Sequence, residues 1–103
     1  MAFPQSFCGY QRVTTSGTIG IASKPAICYG YSVLSGAGGV AQPWFIDGAA
    51  TGGTIAFIAD PSSGAASKER TITIPIGTTF STQIYVSFDA NTTAVTVFYT
   101  ENF

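Results

Sequence analysis

Between Thr82 and Thr100 the chain reads TQIYVSFDANTTAVTVFYT, two alternating apolar runs on either side of a polar bend. In the first, Ile84, Val86 and Phe88 lie on one side and Tyr85 and Ser87 on the other. In the second, Val95, Val97 and Tyr99 alternate with Ala94, Thr96 and Phe98. A period of two marks β-strands, because successive side chains leave opposite faces of the backbone. Asp89, Ala90 and Asn91 supply turn chemistry between the runs, since Asp and Asn bond their own backbone and tolerate the left-handed region. The pattern predicts a hairpin with Ile84, Val86, Val95 and Val97 in the core. Tyr85 and Phe98 are too apolar for a fully solvated face, so the hairpin is expected near the centre of a sheet with part of its outer side covered.

The rest of the chain breaks into short apolar runs punctuated by Gly, Pro and Ser. Strands are expected over Tyr10–Thr15 and Thr18–Ala22, flanking Ser16-Gly17, and over Ala26–Ser35, where Ile27, Tyr29, Tyr31 and Val33 are placed on one face. Gly30 within that run marks a bulge or a close backbone approach. Val40–Asp47 follows, limited by Pro43, then Thr54–Asp60 and Lys68–Ile76, with Ile72, Ile74 and Ile76 on one face and Gly77-Thr78 turning the chain. No window carries helical spacing with caps at both ends. About eight short, mostly antiparallel strands at intervals near 8–12 residues predict an all-β fold, a single β-sandwich or jelly-roll-like domain. The domain is expected over residues 10–103, preceded by a contact arm at 1–9 that carries Phe3 and Phe7. Phe103, at the other terminus, is a second candidate contact.

Composition changes the picture in one respect. Charged residues make up 9% of the 103 residues, against roughly 25% in an ordinary soluble domain. A surface built mostly from Ser, Thr, Gly, Ala and Gln suits permanent association, in which few charges must be desolvated. The four cations, Arg12, Lys24, Lys68 and Arg70, form no basic patch for phosphates, and the net charge is −1; nucleic acid is not an expected partner. No apolar run approaches the ~20 residues of a membrane-spanning helix. The opening MAFPQSFCGYQRV lacks the charged start and apolar centre of a secretory signal, so synthesis in a cytoplasm is expected. Cys8 and Cys28 are too few for a disulfide framework and are expected as buried or half-buried thiols, their pairing left open.

Candidate chemistry is sparse. The sequence has no His, which removes Ser-His-Asp and Cys-His arrangements. Asp47, Asp60, Glu69, Asp89 and Glu101 are scattered, and all but Glu69 fall where a strand meets a turn or terminus. Their spacing gives no sign of the paired carboxylates of glycoside hydrolysis. The glycine-rich stretches Gly36–Gly39 and Gly48–Gly53 lack the following Lys-Ser/Thr and helix of a phosphate cradle. No catalytic residue, cofactor or metal is expected. Trp44, beside Phe45, is expected in the core or at a subunit interface, where Trp is enriched; the alternative is an aromatic platform for a sugar.

The order of short motifs resembles small β-sandwich virion structural proteins of tailed bacteriophages. The residues carrying the resemblance are Lys24-Pro25-Ala26, Phe45-Ile46-Asp47-Gly48, Gly53-Thr54-Ile55, Ile74-Pro75-Ile76-Gly77, Phe80-Ser81-Thr82 and Val95-Thr96-Val97-Phe98-Tyr99. They span most of the chain from Lys24 onward, and each is built from common turn residues. The sequence departs from the group at Gln83, where Gly is frequent. The resemblance implies a particle component without catalytic residues: a capsid decoration, or cement, protein on the virion surface, often a homotrimer, with the major capsid protein as partner. Phe3, Phe7, Trp44 and Phe103 are the expected contact residues. A carbohydrate-binding adhesin module of a tail or fibre, using Trp44 and the two glycine-rich loops, is the alternative.

Overall fold

A computed structural model of the chain describes residues 9–20, 24–36, 40–59 and 69–101. The described residues form eight strands: β1 (Gly9–Val13), β2 (Gly17–Ile19), β3 (Ala26–Ser35), β4 (Trp44–Asp47), β5 (Thr54–Ile58), β6 (Glu69–Phe80), β7 (Ile84–Ser87) and β8 (Thr92–Glu101). They make two four-stranded sheets, ordered β1-β8-β3-β6 and β2-β7-β4-β5, and every pairing is antiparallel. The fold is all-β, consistent with a small β-sandwich.

The core lies where the inner faces meet. Ile84, Val86, Val95 and Val97 are all fully buried there, with Ile19, Val33, Phe45 and Phe80. Tyr31, Phe45, Phe57 and Phe80 form its aromatic part, with Phe57 stacked on Phe45 at a centroid distance of 4.5 Å and set edge-on to Phe80 at 6.1 Å. Such pairs contribute about 0.5–1.5 kcal/mol beyond their burial.

The expected hairpin is not formed. The strand Ile84–Ser87 pairs with β2 and β4, whereas Thr92–Glu101 pairs with β1 and β3 in the opposite sheet. The bend is where turn chemistry placed it, with the Thr92 amide donating to the Asp89 carbonyl at 3.3 Å, but it arches from one sheet to the other. The same holds through most of the chain; only β4 and β5 are consecutive strands of one sheet. An arch buries the same alternate residues as a hairpin would, so periodicity does not distinguish them.

Two bulges revise the expected faces. Between Cys28 and Gly30 the register of β3 shifts against both neighbours. Ile27 and Tyr29 therefore do not share the face of Tyr31 and Val33; Cys28, Tyr31 and Val33 are buried in the core and Ile27 and Tyr29 are half-buried. Gly30 is required at this point, since a Cβ there would lie 2.6 Å from the Ile72 carbonyl oxygen. Opposite the shift, β6 accommodates four residues, Ile74 to Gly77, between its pairings at Thr73 and Thr78. Gly77 takes φ +85°, a region open chiefly to glycine. Instead of turning there, the strand bulges and continues to Phe80, leaving Ile76 92% exposed rather than on the face of Ile72 and Ile74.

The strand expected from Val40 begins only at Trp44. Pro43 has no N–H for the ladder; it is buried and its carbonyl accepts from the Ala59 amide at 2.9 Å.

Candidate functional site

The two outer faces of the sandwich differ in character. On the sheet β1-β8-β3-β6 the outer surface is polar around Thr96, Ser32 and Thr71, while Tyr10, paired with Phe98, and Ile76 on the β6 bulge stand 73% and 92% exposed. The Thr71 hydroxyl donates to Ser32 Oγ at 3.1 Å, and the Arg12 guanidinium reaches across to Thr96 Oγ1 at 3.2 Å and Glu69 Oε2 at 3.3 Å. Arg12 and Glu69 are both well exposed, and surface pairs of that kind contribute about 0–1 kcal/mol.

The outer face of β2-β7-β4-β5 is apolar. Phe45 points inward, so its neighbours Trp44 and Ile46 project outward on either side. Trp44 is paired in register with Ile58 on β5 and Ser87 on β7, and Ile46 with Ile55 and Tyr85. Two adjacent rows result, Ile58-Trp44-Ser87 and Ile55-Ile46-Tyr85, with Thr18 of β2 next to Tyr85. Trp44, Ile55 and Ile58 are each close to half exposed, at 45%, 46% and 46%. Phe45 and Ile46 are both buried, one toward the core and one beneath this face, and the register of β5 against them skips Ala56.

The four strands of this sheet contain a single charged residue, Asp47, and its carboxylate is turned to the chain end of β6. Asp47 Oδ2 accepts from the Ser81 amide at 3.0 Å and the Ser81 hydroxyl at 2.9 Å; Oδ1 accepts from the amides of Thr82 at 2.8 Å and Gln83 at 3.4 Å. Desolvation pushes its pKa up, but the hydrogen bonds from Thr82, Ser81 and Gln83 outweigh it and hold the carboxyl below its ordinary value of 3.8. Gln83, the departure from the phage pattern, is buried, and its carbonyl accepts from the Gly48 amide at 3.0 Å.

Next to Trp44 the face opens into a pocket of about 230 Å³ lined by Gln42, Trp44, Ser87, Phe88 and Asp89. Asp89 holds its rim: Oδ2 accepts from the Gln42 amide at 2.9 Å and Oδ1 from the Thr92 hydroxyl. The Phe88 amide donates to Ser16 Oγ at 2.8 Å, which ties the β1–β2 connection to the same end. The pocket thus combines an indole and a phenyl ring with an amide, a hydroxyl and a carboxylate.

Of the expected contact residues, Trp44 is at the surface and not in the core. Phe3, Phe7 and Phe103 lie outside the described residues, as do Cys8 and Asp60. Cys28 is a buried free thiol donating to the Gly30 carbonyl at 3.4 Å; burial pushes its pKa up to about 11 despite that bond. Among the described residues no three His, Cys, Asp or Glu side chains come together.

Ile55, Ile58, Gln42 and Ser87 are additions that sequence reasoning missed. The signal was the run TIAFI, apolar at four consecutive positions in a strand that could bury only one side. Compared with protein-family models, with curated proteins and with solved structures, the chain matches none.

Proposed function

We propose that this chain is a structural virion component, a capsid decoration protein that bridges and stabilises neighbouring shell subunits. The observation that carries this reading is the uncharged outer face of β2-β7-β4-β5, with Trp44, Ile55 and Ile58 half exposed in adjacent rows. An apolar surface of this kind marks a contact, and the low charge of the whole chain reduces the desolvation cost of covering it. The particle itself is inferred from the motif resemblance alone.

Magnitudes favour attachment in many copies. Completing the burial of one large apolar side chain that is already half covered gives about 1 kcal/mol, half of the usual ~1.5–3. Three such residues yield a few kcal/mol, against an association cost of about 4–15 kcal/mol. One copy on one shell subunit would therefore hold weakly. A copy seated across several subunits, repeated by the symmetry of the shell, gains by effective concentration instead. The work is mechanical and assigns no catalytic role to any residue.

Quantitative mass spectrometry of purified particles tests this directly. Decoration requires the chain in copy numbers comparable with the major capsid protein; its absence from particles, or a stoichiometry typical of a tail tip, would reject it.

The pocket beside Trp44 favours a second reading, a carbohydrate-binding module of a tail or fibre. An indole face flanked by Gln42, Ser87 and Asp89 offers stacking together with hydrogen-bond donors and acceptors. Because Trp44 is the single tryptophan, its fluorescence reports occupancy without labels. Saturable quenching by neutral oligosaccharides would support that reading, and an unchanged spectrum across a panel of them would remove it.

A further inference from the structure

Each sheet of an open sandwich ends in edge strands whose outward N–H and C=O groups are a template for another strand. Three of the four edges here are guarded. At β2, only three residues long, Gln11 reaches over from β1: its Nε2 donates to the Thr18 carbonyl at 3.4 Å, and its Oε1 accepts from the Gly20 amide at 2.9 Å. Strand β1 carries Arg12, engaged across the neighbouring strand. Strand β6 begins with Glu69 and Arg70, contains Pro75 and is bent by the Ile74–Gly77 bulge.

Strand β5 has one of these guards, a register shift against β4 that leaves Ala56 without a partner, and lacks the others. Thr54-Ile55-Ala56-Phe57-Ile58 contains no charge, no proline and no glycine, and four of its five residues are exposed. It pairs only with β4; no described strand lies on its other side. Phe57, which points inward, is only half-buried at this open margin although it stacks on Phe45 and Tyr31.

We propose that the β5 edge pairs antiparallel with the β5 edge of a second copy of this chain, joining the two sheets into one continuous eight-stranded sheet. The free valences of an extended edge are matched by another extended strand, and antiparallel pairing about a twofold axis makes an edge complementary to itself. Charge points to the same occupant. Among the described residues neither β5 nor the face beside it carries a charged side chain except the internally bonded Asp47, so two identical surfaces meet without repulsion. The partner strand covers the exposed margin of Phe57 and packs beside Ile55 and Ile58, whose outward sides stay open with Trp44. Trp44 stays uncovered, because the added strand extends the sheet laterally and does not lie across it. The inference does not depend on the virion reading, and a twofold pair replaces the threefold that the motif resemblance implies.

Sedimentation equilibrium over a wide concentration range, combined with hydrogen exchange, tests it. The wild-type chain is expected to be a dimer that dissociates on dilution, with the amides of Thr54–Ile58 protected in the dimer and exchanging at least tenfold faster when dilute. Ile55→Lys with Ile58→Lys replaces exposed residues by the charges that natural edges carry; it should give a monomer with unchanged circular dichroism. Ile76→Lys, on the guarded β6 edge, should leave the dimer intact. Exchange in the wild type keeps the test valid even if the double variant misfolds. A monomer at every concentration, a trimer, or a dimer broken by Ile76→Lys would overturn the proposal. Protection of Thr54–Ile58 only on particles would also overturn it, by giving the edge to a shell strand. A monomer that still decorates particles rejects the pairing alone, whereas a dimer absent from particles rejects decoration alone.

Discussion

Asp47 holds together the connections at one end of the sandwich. Its carboxylate, at the end of β4, collects the amides of Ser81, Thr82 and Gln83 in the link from β6 to β7. Hydrogen bonds to an ionised acceptor are stronger than neutral ones, with solvent screening part of the gain at this exposed position. Asp47→Ala should destabilise the domain by about 1 kcal/mol, measured by urea unfolding. The sign of the pH dependence follows from the lowered pKa. The contribution is fully present above the ordinary value of 3.8 and is lost as pH falls from there through the folded-state value. Unfolding midpoints of wild type and Asp47→Ala should therefore converge in acid; a constant gap would contradict the role given to the carboxylate. Cys28 behaves oppositely. With its pKa pushed up to about 11 and its sulfur buried, the thiolate needed for alkylation is scarce and inaccessible. In a Cys8→Ser background, iodoacetamide at neutral pH should leave the native chain unmodified and label it once in denaturant. Rapid labelling of the native protein would place Cys28 at the surface.

At the scale of elements, strand existence was legible from the sequence and strand partnership was not. Ala26–Ser35 was delimited correctly, because its apolar run is long and bounded by Lys24-Pro25 and Gly36. The inward set Ile84, Val86, Val95 and Val97 followed from alternation alone. Alternation says which side of a strand is apolar, but not which sheet that strand joins. The bend at Asp89–Asn91 therefore read as a hairpin when it is an arch. Parity also fails wherever a bulge inserts residues. Tyr29 and Tyr31 are two apart yet differ in burial because Gly30 intervenes, and Ile76 leaves the face of Ile72 and Ile74 by the same mechanism on β6. Trp44 was ambiguous for a related reason: in Trp-Phe-Ile, strict alternation allows Phe45 inward or its neighbours inward, and nothing local selects. Gly30→Ala tests the bulge. Its methyl group would press on the backbone oxygen of Ile72, which cannot swing aside as a side chain would, so a loss of about 1–3 kcal/mol is expected. Unchanged stability would mean that β3 and β6 are not in such close contact.

The whole molecule is an asymmetric slab. One outer face has hydroxyls and the Arg12–Glu69 pair as well as the exposed Tyr10, and the other has Trp44, Ile55, Ile58 and Tyr85 without a free charge among the described residues. This difference explains how a chain with 9% charged residues divides its surface. Of its charged strand residues, Arg12, Glu69, Arg70 and Glu101 lie on β1, β6 and β8, and Asp47 alone lies on the other sheet, bonded within the fold. It also separates the two contacts proposed above, a lateral one along the β5 edge and a facial one centred on Trp44, which composition could not distinguish. Co-sedimentation of the purified chain with undecorated shells measures the facial contact most directly. Saturable binding is expected for the wild type and at least a tenfold loss for Trp44→Ser, whose covered half contributes about 1 kcal/mol to the fold, so the variant should melt a few degrees lower yet stay folded in the assay. Equal binding of the two proteins, or no binding by the wild type, would contradict the facial contact.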